Sequence, residues 1–495
     1  MGTELKTDYK MLIAGSFVAG QGHRPVINPT TGAPLAEMPL ATPAMALDAI
    51  QAAKEAQPGW GAKSPLERAQ VMKTIAELIR KDAERLARLI VMEQGKPINE
   101  ARGEVGGAAE FFDFFAGYAR HIQGEILPSD FAGEQIWIQR VPIGVVLAII
   151  PWNYPLALVA RKVAPAMIAG DTVVLKPHED TPFCALEMAR IFDHAGVPAG
   201  VVNIVTGEGA TIGETLCNAS DVNLITMTGS VPTGKRIMSN AAKNLTPVSL
   251  ELGGKAPFIV MADSDLDLAV RSAVTSRFMN CGQVCICNER TLVERAVYDQ
   301  FVDSFIAQSR KLRIGDPLFG TTDIGPKVSH EELVKVEHYV QMAVEQGAEL
   351  RLGGNRPEHP PTQGGFWYCP TVLTGLTHDM DIMHKEIFGP VVPIMPFDGF
   401  DEAVALANDC DYGLSAYLFT NDLQKIMHAV NEISFGELYI NRIGPESLQG
   451  FHVGYHNSGI GGDDGTHGLE TYMRKKTVYV NYSGKPTASL MPYGG

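Results

Sequence analysis

The sequence predicts an α/β protein built from two helix-covered parallel sheets in series, and three observations carry that prediction. From residue 144 onward, short apolar runs alternate with stretches of helical periodicity, the pattern of parallel strands with helices on both faces. A second series of the same kind follows the glycine-containing segment 251–255. At 495 residues with 45% hydrophobic residues, the chain is too long for one ordinary core and rich enough to fill two or three.

In chain order, the first clear element is a long amphipathic helix. Ser64, Pro65 and Glu67 supply an N-cap, a proline at the first helical position and a capping-box glutamate. Ile75, Leu78, Ile79, Leu86, Leu89 and Ile90 then keep helical spacing until Gly95 and Pro97 end it. The aromatic-rich stretch 111–118 is also helical, and core packing is its simplest use. A hairpin-like excursion is read near 121–142. Strands follow at 144–150, 172–175, 201–205 and 223–227, separated by helices at 157–168, 184–195 and 234–242. A sheet of this kind binds dinucleotides at the carboxyl ends of its strands. Beyond 251–255, strands are expected at 257–261 and 291–293 and helices at 266–279 and 297–312. Residues 476–482 alternate as a strand that needs a partner edge outside both units.

Composition narrows the partners. A formal net charge of -15 without a Lys/Arg cluster disfavours nucleic acid, leaving small molecules and copies of the chain itself. Seven cysteines show no disulfide-scaffold spacing, and residues 1–10 are polar where a secretory signal would be apolar, so a reducing cytoplasm is the expected compartment. The longest apolar run, 141–150, contains Pro142 and Gly144 and falls far short of the roughly 20 residues that cross a bilayer. No membrane association is expected.

The densest chemical signal is Cys281-Gly282-Gln283-Val284-Cys285-Ile286-Cys287, with Glu251-Leu252-Gly253-Gly254-Lys255 upstream. A glutamate and a cysteine in glycine-containing turns offer the general base and the nucleophile that covalent catalysis on a carbonyl carbon requires. The three thiols lack the nearby fourth Cys or His of a structural zinc site, so no metal is expected. Inert core packing is the alternative use of any cysteine, and it is assigned to Cys184, Cys217, Cys369 and Cys410. Two turns read as cofactor contacts. Thr228-Gly229-Ser230 opens a helix and can bring backbone amides to a pyrophosphate. Its G-S-x-x-x-G pattern departs from G-x-G-x-x-G, and such turns are often purely structural. Lys176 and Glu179 end a strand where they can bond ribose hydroxyls, the alternative being a solvated charge pair. A carboxylate there repels a 2′-phosphate, which favours NAD over NADP.

Taken in order, Pro151-Trp152-Asn153-Tyr154-Pro155, Lys176-Pro177-His178-Glu179, Thr228-Gly229-Ser230, Glu251 to Lys255, Gly282-Gln283-Val284-Cys285 and Glu386-Ile387-Phe388-Gly389-Pro390 resemble the motifs of the aldehyde dehydrogenase superfamily over nearly the whole chain. The resemblance implies Cys285 as nucleophile, Glu251 as the base that hydrolyses a thioester, and Asn153 with the Cys285 N–H as oxyanion donors. Lys162 would relay protons behind the glutamate. The carboxylate that should follow it departs from the pattern, Asp463 and Asp464 standing in a glycine-rich segment. NAD would be held by Ile150, Trp152, Lys176, Glu179, Gly207, Gly229, Ser230, Leu252, Glu386 and Phe388. Because Glu251 is retained, a free acid is expected rather than an acyl-CoA or acyl phosphate.

The segments 439–452 and 458–462 are similar to the lactaldehyde and glycolaldehyde dehydrogenase branch. Arg161, Glu446 and His452 are expected to bond the hydroxyl of a short hydroxyaldehyde; a structural Arg161–Glu446 ion pair is the alternative. Phe115, with Phe111, Phe114 and Tyr118, is placed at the substrate tunnel and keeps aromatic, longer aliphatic or sugar-derived aldehydes as alternatives. A non-catalytic cofactor-binding scaffold is a further one, against which Cys285, Glu251 and Asn153 all stand. The architecture expected is a Rossmann-like NAD-binding domain at 1–120 and 143–253, a catalytic domain at 254–468, and a small β oligomerisation arm from 121–142 and 469–495. Residues 486–495 reach over a neighbour or are loose, in a homo-dimer or homotetramer.

Overall fold

The computed structural model describes residues 8–484, and the two α/β series form two separate sheets. The first has eight strands in the order Ser16–Val18, Met11–Ile13, Val202–Ile204, Thr172–Lys176, Val145–Ile149, Leu224–Thr228, Val248–Glu251 and Gly459–Ile460. The five strands from Val202–Ile204 to Val248–Glu251 run parallel. They are almost wholly apolar and buried because Ala157–Ala169, Phe183–His194 and Val231–Ala241 connect them as helices. The chain enters this run at Val145–Ile149, builds outward through Thr172–Lys176, then returns to add Leu224–Thr228 on the other side. That reversal leaves a crevice beyond the carboxyl ends of Val145–Ile149 and Leu224–Thr228, where open α/β sheets bind ligands.

The second sheet has seven strands: Glu349–Leu352, Thr371–Thr374, Val391–Phe397, Arg290–Glu294, Pro257–Val260, Ser415–Phe419 and Glu437–Ile440. Because Arg290–Glu294, Pro257–Val260, Ser415–Phe419 and Glu437–Ile440 are parallel, their amino ends share one edge. The turns that lead into that edge carry Lys255, Cys285 and Glu289, so the Cys285 segment faces the crevice of the first sheet.

One sequence expectation fails at Asp82. The helix read across 64–94 is two, Pro65–Lys81 and Ala83–Gln94. The capping box of Ser64 and Glu67 and the proline start are present. Asp82, however, leaves helical geometry at φ -103°, ψ 13° and turns its carboxylate onto the Arg85 guanidinium, Nε at 2.9 Å. Apolar spacing continues across a one-residue break, so periodicity could not register it. The stretch 111–118 lies mostly in the helix Ile98–Gly117, with Phe112 and Phe115 fully buried.

The alternating tail forms the strand Met473–Asn481, which pairs antiparallel along its whole length with Glu134–Pro142, while Glu125–Pro128 completes a three-stranded arm. The segment 486–495 lies outside the described residues. No helix among the described residues is long and apolar enough to cross a membrane.

Glu289 cross-links the edge that bears Cys285. Its Oε2 accepts from Lys255 Nζ at 2.8 Å and Ile387 N at 2.9 Å, and its Oε1 from Arg277 Nη1 and Phe388 N, both at 3.0 Å. Burial opposes the charge, but Lys255 and Arg277 hold the carboxyl down to about 2. Removing one partner of a buried cluster leaves uncompensated charges behind, at a cost of about 3–5 kcal/mol. Glu289→Ala is therefore expected to lower unfolding stability by about that amount in denaturant titration; a loss within experimental error would mean that the two cations find water instead.

Candidate active site

The crevice opens into a cavity of about 1290 Å³ walled by both sheets. Ile150, Trp152 and Asn153 enter it from the end of Val145–Ile149, Lys176 and Glu179 from the next strand, and Gly229, Ser230 and Leu252 from the two strands beyond the reversal. Cys285, Glu386 and Phe388 come from the second sheet's side.

The turn that leads to Cys285 owes its shape to left-handed backbone and side-chain ties. Asn280 (φ 49°), Cys281 (φ 55°) and Gly282 (φ 71°) occupy the left-handed region in succession. A Cβ on Gly282 would stand 2.2 Å from Gly389 O, so only glycine fits. Asn280 is the clamp: its N–H donates to Glu100 Oε2 at 2.8 Å, its Nδ2 to Asn153 O at 3.0 Å, and its Oδ1 accepts from Gln94 Nε2 at 2.9 Å. Of the three thiols, Cys285 alone is partly exposed and on the cavity wall. Cys281 and Cys287 are buried, and burial pushes both thiols up to about 12. They are packed groups at neutral pH, while the reactive form of a thiol is the thiolate.

Asn153 lies against this turn. Its Nδ2 donates to Gln283 O at 3.2 Å, and its Oδ1 has no partner among the described residues. Lys96, which has no exposed surface, fixes the Asn153 carbonyl at 2.8 Å while bonding Glu104 at 2.6 Å with its ammonium over the Tyr154 ring. Glu104 in turn caps the helix Ala157–Ala169 by accepting from Leu156 N at 2.8 Å. The Cys285 N–H meets no acceptor among the described residues, which leaves it available to a ligand.

Glu251 is buried at the end of its strand, and both its carboxylate oxygens lack a hydrogen-bond partner among the described residues. Burial pushes it up to about 8, with His452 pulling the other way. His452 Nε2 stands 3.6 Å from Glu251 Oε2, and its Nδ1 lies 3.2 Å from Glu437 Oε1 without hydrogen-bond alignment. Lys162 bonds Asp463 Oδ2 at 2.6 Å behind the glutamate. Asp464 pairs with Arg161, Nε at 3.1 Å, closer than Asp463 stands to the same nitrogen at 3.9 Å.

At the far end, Glu179 Oε1 accepts from Gly209 N at 2.7 Å, and Lys176 Nζ lies 3.4 Å from Oε2. Burial opposes its charge, yet Lys176 and His178 hold it down to about 2. Ser230 is the N-cap of Val231–Ala241. Glu386 accepts from Gly254 N at 2.9 Å and is pushed up to about 7 by burial. Phe388 and Trp152 meet edge to face at 5.4 Å. Gly207 stands off the cavity wall, which its neighbours Glu208 and Gly209 form.

Arg161 forms an ion pair with Glu446 at 2.5 Å and a two-point pair with Asp464. Burial opposes it, but Arg161 and His452 hold Glu446 down to about 2. Arg161, Glu446 and His452 all line the cavity. Phe115 does not: it is fully buried and packs against Phe114 and Tyr118. The helix Ile98–Gly117 presents Glu100, Gly103, Glu104, Gly107, Glu110 and Phe111 to the cavity as one stripe, which enters the core past Phe111. The sequence reading missed Arg24, Lys96, Glu100, Glu104 and Glu437. For Glu100 and Glu104 a signal existed, since acidic residues share a helical stripe with two glycines; the others reach the site from segments without a motif.

Residues 17–478 match the aldehyde dehydrogenase family. A 3,6-anhydro-α-L-galactose dehydrogenase of Streptomyces coelicolor is 46% identical over 475 residues, 94% of this chain and 96% of its own. A lactaldehyde dehydrogenase of Escherichia coli is 44% identical over 476 residues, 95% of this chain and 98% of its own. The crystal structure of lactaldehyde dehydrogenase from Escherichia coli matches with a TM-score of 0.93, covering 96% of this chain and 99% of that one. A 3,6-anhydro-L-galactose dehydrogenase in complex with NADP matches at 0.94 with 45% identity, covering 96% of this chain and 100% of that one. The likeness runs through both sheets and the turns between them, and the chain belongs to the aldehyde dehydrogenase family, enzymes that oxidise aldehydes.

Proposed function

We propose that the protein oxidises a short hydroxyaldehyde such as lactaldehyde or glycolaldehyde to its carboxylic acid with NAD and water. The observation that carries this reading is a single cavity with the accessible Cys285 thiol at one end, the Glu179 carboxylate at the other, and Arg161, Glu446 and His452 beside the thiol. Cys285 Sγ attacks the aldehyde carbon and gives a thiohemiacetal. Asn153 Nδ2 and the Cys285 N–H donate to the developing oxyanion, a contribution of about 3–4 kcal/mol in sites of this kind. When bound, NAD would supply the hydride acceptor that the passage from this adduct to a thioester requires. Glu251 then removes a proton from the water that attacks the thioester carbon, and the acid leaves with the thiol restored. Lys162 and Asp463 stand behind Glu251 as a route for its proton.

The residues present fit a dinucleotide. Ser230 at a helix N-terminus suits the pyrophosphate, and Lys176 with Glu179 suits the adenosine ribose. Ile150, Trp152, Gly229 and Leu252 line the cavity where they would flank it, Gly207 precedes the turn at Glu208, and Glu386 with Phe388 would meet its nicotinamide end. An anionic Glu179 supports NAD. Arg24 at the same end gives a 2′-phosphate its opposite charge. Seven free cysteines suit a reducing compartment such as the cytoplasm. The arm leaves Ile126 71% and Tyr479 67% exposed, which supports burial against a second subunit in a dimer or tetramer.

A second reading, a sugar-derived aldehyde, is favoured by the 46% identical 3,6-anhydro-α-L-galactose dehydrogenase. NADH formation measured across hydroxyaldehydes, aliphatic, aromatic and sugar aldehydes, with NAD and NADP compared, decides between the two. Turnover is expected to be highest on a short hydroxyaldehyde with NAD and to vanish in Cys285→Ala; a best substrate among sugar aldehydes would select the second reading. Arg161→Ala is expected to lower kcat/KM about tenfold or more on lactaldehyde relative to propanal, since only the former loses a hydroxyl contact. Equal losses on both would reduce Arg161 to a structural ion pair.

The base carries its own pH signature. Glu251 is active as carboxylate, so with its proton affinity raised the hydrolytic step is expected to speed up as pH rises through about 8 and to stall as pH falls below it. Acyl-enzyme should then accumulate at pH 6 in quenched samples read by mass spectrometry. Glu251→Gln should accumulate it at every pH.

A further inference from the structure

His452 is oriented less as a hydroxyl donor than as a counter-charge. We propose that His452 acts as a buried imidazolium that favours the ionised form of Glu251 over its protonated form, and that Glu437 is the residue that keeps His452 charged. This rests on the reading of Glu251 as the hydrolytic base.

The geometry carries it. The imidazole lies between two carboxylates, Nε2 at 3.6 Å from Glu251 Oε2 and Nδ1 at 3.2 Å from Glu437 Oε1, with Glu446 Oε1 at 3.9 Å from Nδ1. His452 and Glu251 are 3% and 2% exposed as side chains, so their attraction acts with little screening from water. His452 is fixed in place from the backbone: its N–H and carbonyl exchange hydrogen bonds with Asp463, at 2.9 and 2.8 Å. Glu437 begins the edge strand Glu437–Ile440, and its other oxygen accepts from Tyr439 Oη at 3.0 Å.

Every charged group facing the pair can be placed. Burial, and after it Arg161, work against a proton on His452, while Glu446, Glu437 and the Cys285 side chain favour it, and its proton affinity ends well above that of an ordinary imidazole. Glu251 is faced by His452, Lys162 and Arg161, which favour its charge, and by Asp463, which opposes it. Arg161 is engaged by Glu446 and Asp464, and Lys162 by Asp463. His452 instead divides its ring, Nε2 facing the base and Nδ1 facing Glu437 and Glu446. Its role is positioning and electrostatic, with no proton passed through the ring.

The test follows acyl-enzyme decay against pH, using propanal so that no substrate hydroxyl is in play. The full-length wild-type enzyme is compared with His452→Gln and Glu437→Gln. His452→Gln is expected to move the rising limb up by about one pH unit or more, slowing decay about tenfold at pH 7 while the rate at high pH recovers. Glu437→Gln should move it the same way by less. A structural role or a hydroxyl contact alone would not produce this pattern. Decay slowed equally at all pH values, or an unmoved limb in His452→Gln, overturns the proposal. Should Glu251→Gln itself leave decay intact, the assignment of Glu251 fails first, and the result is distinguishable from a failure of His452.

Discussion

The site depends on one buried carboxylate. Glu289 binds Lys255 from the turn that follows Glu251, Arg277 from the helix before the Cys285 turn, and the N–H groups of Ile387 and Phe388 beside Glu386. Three chain segments converge on its two oxygens. A carboxylate accepts at several lone-pair positions and can satisfy this many donors at once, which an apolar residue of the same volume could not. Its ionisation is secured by full compensation, two cations and two amides around one anion, which answers the desolvation cost of burying it. The turns that hold Cys285 and Glu386 thereby become one rigid body.

Around that body the molecule balances charges instead of diluting them. Lys96 with Glu104, Lys162 with Asp463, Arg161 with Glu446 and Asp464 are buried or nearly so, and each joins the first sheet's helices to a segment of the cavity wall. Each such pair costs desolvation and returns position. Glu251 differs from all of them. Its oxygens have no hydrogen-bond partner among the described residues, and its proton affinity is raised where Glu289, Glu179 and Glu446 are held low. The contrast is between carboxylates that brace the site and one that is left free to take up a proton. The same division separates the thiols, where burial silences Cys281 and Cys287 and leaves Cys285 on the cavity wall.

The fold was legible because its signals are local. Strand and helix periods, the Ser64–Glu67 capping box and the alternation of the tail are patterns over a few residues, and the elements formed where those patterns lie. The helix break at Asp82 was not legible, because the apolar stripe continues through it. Phe115 illustrates a second limit: the periodicity that puts Phe111 and Phe115 on one face says nothing about where along that face the cavity ends. Glu437, Lys96 and Arg24 reach the site from segments whose local sequence serves a strand, a helix end and a hairpin.

The sequence by itself determined the chemistry on offer: a cysteine and a glutamate in glycine-containing turns, a sheet whose strand ends can hold a dinucleotide, and motifs in an order that points to one family. These are properties of residue type and of short-range spacing, which a linear chain states directly. Only the tertiary structure decided which thiol meets the cavity, which aspartate pairs with Lys162 and which with Arg161, and that His452 lies between Glu251 and Glu437. Burial and the distance between charges set proton affinity and reactivity, and both arise from contacts between residues far apart in the chain.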